Sequence, residues 1–210
     1  MSLWTDLSLN FLTSFLGGMA VNFEIAAVAL ALGLLLGILL ALARVHGGVA
    51  GRVSGGVIGL MRAAPTFVVM FFLLNALPRE ALLSGVMIVA LSLVPYAAAH
   101  VADTTVDALR QLRDGLPLAA FLILPNVARA FFVMVMSSSA GAAIGVPEGI
   151  AVILRGDMLV LFAISVACFG IPLQAGFAVI RLIQRYLGRI VLRNQPRRPI
   201  GETAVPIEQR

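Results

Sequence analysis

The sequence predicts an all-α, polytopic membrane protein with five transmembrane helices. Three observations carry that prediction. Apolar residues make up 60% of the 210 residues and charged residues only 12%, against about 45–50% and 25% in soluble domains. The mean hydropathy is +1.03. All 15 basic residues are arginine, and most stand at the ends of long apolar runs. A soluble fold of this size has too little interior to bury so much apolar surface. Ordinary cytosolic enzymes, disordered chains and secreted disulfide scaffolds are therefore excluded. The one cysteine, Cys168, allows no internal disulfide and no Cys-based metal cluster.

Each element follows in order. Residues 1–19 lack the basic start of a secretory signal and carry Asp6 instead; their apolar run, Leu7–Leu16, is too short to cross. They read as a lead-in helix on the bilayer surface, a depth that suits Trp4. The first span is Ala20–Ala43, about 36 Å at helical rise, enough for a hydrocarbon core of about 30 Å. The second runs from Val57 to Leu77 and ends at Pro78-Arg79-Glu80. The third, Ala81–His100, contains Pro95, and a polar stretch, Ala102–Gly115, follows. Leu116–Leu124 reads as a surface or re-entrant segment. The fourth span lies within Val127–Val146. The fifth, Met158–Ile183, carries Gly170 and Pro172, which predict a bend. Residues 20–193 thus form one membrane domain, and 194–210 form a flexible tail.

Thirteen of the arginines fall in loop 1, loop 3, their flanks and the C-terminal end, whereas Arg79 and Arg155 fall on the opposite side. The positive-inside rule then puts the N-terminus outside and the C-terminus in the cytoplasm. The basic charge sets topology, so nucleic acid is not an expected partner, and the lipid bilayer is.

Ala29, Gly33, Gly37 and Ala41 recur every four residues, a spacing that lets another helix approach closely, within the chain or from a second subunit. Arg181, Arg185, Arg189 and Arg193 share one helical face, set either for lipid headgroups or for an acidic partner. Asn75, Ser137, Ser138, Ser139 and Gln174 are polar residues within spans. They are candidates for a solute path, the serines also for bonds back to their own helix. His100 reads as a surface histidine at the end of span 3. No carboxylate lies in the middle of a span, which argues against an ion-coupled carrier. No phosphate loop, catalytic triad or metal-ligand spacing is present, so energy for uphill movement would have to come from a partner.

Five stretches resemble one family. Gly17-Gly18-Met19-Ala20-Val21-Asn22-Phe23-Glu24, running into a Gly33/Gly37 helix that closes Ala41-Leu42-Ala43-Arg44, is similar to its first helix. Arg62-Ala63-Ala64-Pro65-Thr66-Phe67 resembles Arg-Gly-Thr-Pro-Leu, and Pro95-Tyr96-Ala97-Ala98 sits where the family has Ala-Tyr and then Glu. Ile123-Leu124-Pro125-Asn126-Val127-Ala128-Arg129 resembles Ile-Leu-Pro-Gln-Ala-x-Arg. Ile144-Gly145-Val146-Pro147-Glu148 matches Ile-Gly-Val-Pro-Glu. The family is the membrane permease subunits of ATP-binding-cassette importers, in the polar amino-acid permease branch.

The resemblance implies a type I importer transmembrane domain and a transport subunit that is not itself an enzyme. It implies two permease subunits around a central path and an ATPase subunit docked on each in the cytoplasm. It also implies an extracytoplasmic solute-binding protein and residence in a bacterial inner membrane. ATP and magnesium would be held by the ATPase; this chain would bind no cofactor. A short cytoplasmic helix after span 3 would couple the two, in the stretch 103–115, with Asp103, Thr105, Asp107, Arg110, Arg113 and Gly115 as the contact residues.

Departures concentrate in that stretch. From Tyr96 to Pro125 the chain is shorter than the family by about eight residues. The family's Glu-Ala-Ala aligns with Val106-Asp107-Ala108 and its Gly with Leu112, or, with a gap, with Asp107-Ala108-Leu109 and Gly115. Lys-Asp-Thr-Ser-Leu has become Met136-Ser137-Ser138-Ser139-Ala140. Either the coupling helix is compact, around Thr105–Arg113, or the chain is a divergent half beside a paralogous permease. The second is favoured, because a degenerate motif is easier to tolerate when the other half retains it. The rival classes are a non-transporting membrane scaffold and an ion-coupled secondary carrier.

Overall fold

The computed structural model describes residues 2–76, 83–116, 123–154 and 159–193, and these are helical apart from short turns. In chain order the helices are α1 (Ser2–His46), α2 (Gly48–Ala63), α3 (Thr66–Ala76), α4 (Gly85–Arg113), α5 (Ile123–Ser137), a 3-10 helix (Ser138–Ile144), α6 (Gly149–Leu154) and α7 (Leu159–Arg193). Among the described residues, Leu9–His46, Gly85–Arg113 and Ile123–Ile144 are long and apolar enough to cross a membrane. The bent pair α2–α3 makes a fourth if it counts as one crossing. With its 35 residues α7 is also long enough to cross. The expected count of five is therefore approximate. Leu35 is 68% exposed and Phe72 69%, a surface suited to lipid.

Three expectations are corrected. The lead-in segment is not a separate surface helix: α1 is continuous over 45 residues, about 67 Å. Nothing between Ser2 and His46 stops it, since it contains no proline, and its glycines sit at helical positions. The second span is not straight. Its helix breaks at Ala64-Pro65, where α2 and α3 meet at 94°. Pro65 has no N–H to give and disfavours a helical residue before it; Ala64 is accordingly extended. The third span does not end at His100. It continues without a break through the polar stretch to Arg113, a rod of about 43 Å.

The helix α4 is well specified at both ends. Ser84 caps its start, accepting the Met87 N–H at 3.2 Å. At its end Leu116 N–H bonds Gln111 C=O and Gly115 N–H bonds Leu112 C=O, with Gly115 at φ 75°. That is a Schellman stop, which needs a left-handed residue. Thr104 stays helical by returning its hydroxyl to His100 and Val101 C=O.

The helices α1 and α4 form the central pair. Gly33 lies on Ala97, and a Cβ on Gly37 would meet Ala98 O at 2.7 Å. Ala29 and Ala41 are fully buried. The small-residue stripe is therefore used for packing within the chain. Phe15, Ile25, Val89, Leu93, Met70, Met134 and Ile153 join α1, α3, α4, α5 and α6 in one core. A second core, Ala41, Ile58, Ala99, Ala102 and Val106, holds α2 against α1 and α4. Ser54 adds a 2.6 Å bond to Leu40 C=O. The expected segments around 78–82, 117–122 and 155–158 and the tail 194–210 lie outside the described residues.

Candidate functional site

At one end of the bundle α1 meets the turn that follows the 3-10 helix. Gly145, at φ 83°, ends the 3-10 helix and lets Val146 N–H reach back to Gly141 C=O. Pro147 follows, and Glu148 then starts α6. The Glu148 side chain is fully buried. Its Oε2 accepts from Ile150 N–H at 2.8 Å and from Asn22 Nδ2 at 2.9 Å, and its Oε1 accepts from Ala151 N–H at 2.9 Å. Asn22 also donates to Ser138 Oγ at 2.7 Å and accepts Gly149 N–H at 2.9 Å. Ser138 donates its own O–H to Val135 C=O at 2.7 Å. Every polar atom of the trio has a partner, the condition for burying such groups at membrane depth. Gly18 makes the approach possible, since a Cβ there would stand 2.8 Å from the Glu148 backbone.

The opposite end carries an ion-paired junction. Asp103 on α4 bonds Arg44 at the end of α1 (3.2 Å) and, more closely, Arg62 at the end of α2. One carboxylate thus gathers the end of α1, the α2–α3 elbow and the charged part of α4. Asp103 is therefore engaged inward rather than standing free on the surface. Beyond it, Asp107 and Arg110 are exposed and pair at 3.8 Å, and Arg113 is exposed. Thr105 is half-buried, and its hydroxyl has no partner among the described residues. Gly115 is the Schellman residue.

The expected path residues do not come together. Asn75 is exposed and returns its amide to Phe71 C=O at 2.7 Å. Ser138 is consumed by the Asn22–Glu148 network, and Ser137 and Ser139 are half-buried beside it. Gln174 instead lines a cleft of about 330 Å³ between α5 and α7, with Arg129, Met136, Phe177, Arg181 and Gln184. His100 is half-buried, bonds Asn126 C=O at 3.2 Å and stacks on Tyr96, so it is not a plain surface histidine. Arg181 lines this cleft and also, with Arg185, a neighbouring hollow on the outer face of α7, and Arg185 and Arg189 line an apolar groove with Leu182 and Tyr186. Among the described residues no group of three His, Cys, Asp or Glu could hold a metal ion.

Sequence reasoning missed Asn22, Glu148, Arg44 and Arg62 as interacting groups. Both Asn22 and Glu148 stood in quoted motifs, so a polar residue inside an otherwise apolar motif was the available signal.

The architecture is that of a multi-helix protein whose long apolar helices suit a membrane. No protein-family model matches the sequence. No curated protein matches it either. A solved structure described as an amino acid ABC transporter with histidines does, with TM-score 0.71 and 17% identity, over 85% of this chain and 96% of that chain. The chain shares the fold of that transporter chain.

Proposed function

We propose that the chain is the membrane subunit of an ATP-driven importer of polar amino acids or similar small organic solutes. The single observation that carries this reading is the fold likeness to an amino acid ABC transporter over nearly the whole of both chains. The chain carries no nucleotide-binding motif of its own. An ATPase subunit supplies the energy and docks on the exposed end of α4, around Asp107, Arg110 and Arg113. A second, paralogous permease completes the path, and an extracytoplasmic binding protein delivers the solute. The chain resides in a bacterial inner membrane with its N-terminus outside and its C-terminus in the cytoplasm, as the arginine distribution supports.

Native mass spectrometry of the gently solubilised, tagged protein tests the reading. Co-purification of an ATPase pair and a second permease is the expected result. Recovery of the chain alone, or with unrelated proteins, overturns it in favour of a scaffold.

A further inference from the structure

The antiparallel pair α5–α7 is in clear register. Asn126 pairs with Gln184 through a 2.8 Å hydrogen bond. One turn further along the pair Arg129 and Arg181, both exposed, share the cleft, and a turn beyond that Phe132 meets Phe177 with centroids 5.8 Å apart. Gly176 permits this close contact, since a Cβ there would lie 2.9 Å from the Phe132 ring. The two arginines therefore occupy the same rung of a helix pair whose rungs above and below are locked. No lining residue is acidic, and among the described residues neither arginine has an ion-pair partner. Like charges on one rung disfavour each other, and an anion between them would turn that cost into attraction. Gln174 adds amide hydrogen-bonding capacity toward the far end of the same cleft.

We infer that the α5–α7 cleft is an oxyanion-binding site, in which Arg129 and Arg181 clamp one carboxylate or phosphate group. Paired guanidinium forks suit planar or tetrahedral oxyanions, which they bind with two parallel N–H donors each. The volume of about 330 Å³ leaves room for a small organic body beside the head group and lies at the low end of ligand pockets, about 300–1,000 Å³. Two sources share this chemistry: the carboxylate of a small solute and the phosphate of an anionic lipid. The site stands on the cleft alone, so its failure leaves the importer reading untouched.

The test uses the full chain with whatever subunits co-purify, in nanodiscs, followed by thermal unfolding. One arm compares sodium glutamate with sodium chloride at equal ionic strength in phosphatidylcholine discs. The other compares phosphatidylglycerol discs with phosphatidylcholine discs and no added solute. A rise in Tm in either arm is expected, glutamate marking a solute site and phosphatidylglycerol a lipid site. In R129Q/R181Q the responding arm loses its shift. If that variant does not fold, R181Q alone takes its place, and about tenfold more glutamate or phosphatidylglycerol is needed for the same shift. No shift in either arm, or a shift that survives loss of the arginines, overturns the proposal.

Discussion

Asn22 Nδ2 donates to Glu148 Oε2 at 2.9 Å, joining residues 126 positions apart in the chain. The amide serves Glu148, Ser138 and Gly149 at once, so it fastens the middle of the bundle's longest helix to the turn between the 3-10 helix and α6.

Removing the carboxyl with E148A leaves the Ile150 and Ala151 N–H groups and one of the two Asn22 amide hydrogens without their acceptor. A loss of about 2–4 kcal/mol in unfolding free energy is expected. S138A removes the acceptor of one Asn22 amide hydrogen and the donor to Val135 C=O and should cost about 1–2 kcal/mol. A double-mutant cycle of N22A with E148A should show coupling of about 1 kcal/mol or more. Additive losses in denaturant titrations in mild detergent would mean the two side chains act separately.

Asp103 predicts a different pattern. Its pairs are partly exposed, Arg62 being 64% exposed, so D103N should cost about 1 kcal/mol or less of stability. The same change removes the ionic tie of the end of α1 and the elbow to α4 and leaves the apolar core that also joins them; if the chain works as proposed, this tie matters to coupling. ATP-driven uptake in vesicles should therefore fall well beyond the loss in folded protein. Uptake that merely tracks the amount of folded protein would remove Asp103 from coupling.

Glycines separate into two groups. G37V places a side chain against Ala98 O and Val101 and should destabilise by about 1–3 kcal/mol or more. G59A meets nothing within 4 Å on α2 and should stabilise by about 0.5–1 kcal/mol. Thermal unfolding of both variants checks the opposite signs.

Topology is testable with single cysteines in a C168S background. Leu154, 65% exposed at the end of α6, should react as L154C with a membrane-impermeant maleimide on intact spheroplasts. R113C, at the end of α4, should react only after permeabilisation. The reverse pattern would invert the orientation drawn from the arginines.

Much of this architecture was legible in the residues, and what was not has physical reasons. The Gly33/Gly37 spacing announced a close helix contact, and the partner proved to be α4 of the same chain. Hydropathy counts apolar length and is blind to direction, so Val57–Leu77 read as one span although Pro65 turns it by 94°. Polarity suggested that the third helix ended at His100. Yet helix continuation depends on backbone bonding, and Thr104 and the Schellman stop at Gly115 carry it to Arg113. Glu148 lies just past Val146, the expected end of the fourth span, and nothing in the sequence around it announces a buried carboxyl. Only the distant Asn22, together with the α6 backbone, makes its burial tolerable. The facing of Arg129 and Arg181 across α5 and α7 depends on an interhelical register that no single segment encodes.

The seat of Gly33 against Ala97 has a mechanical consequence. Sliding α1 along α4 would drag the Ala97 methyl group across the backbone of its neighbour, and a close-packed interface yields little to such shear. The two helices are thus denied the motion of pistons. Any displacement of one helix is then passed to the other as a shared turn, as between the arms of a single crank.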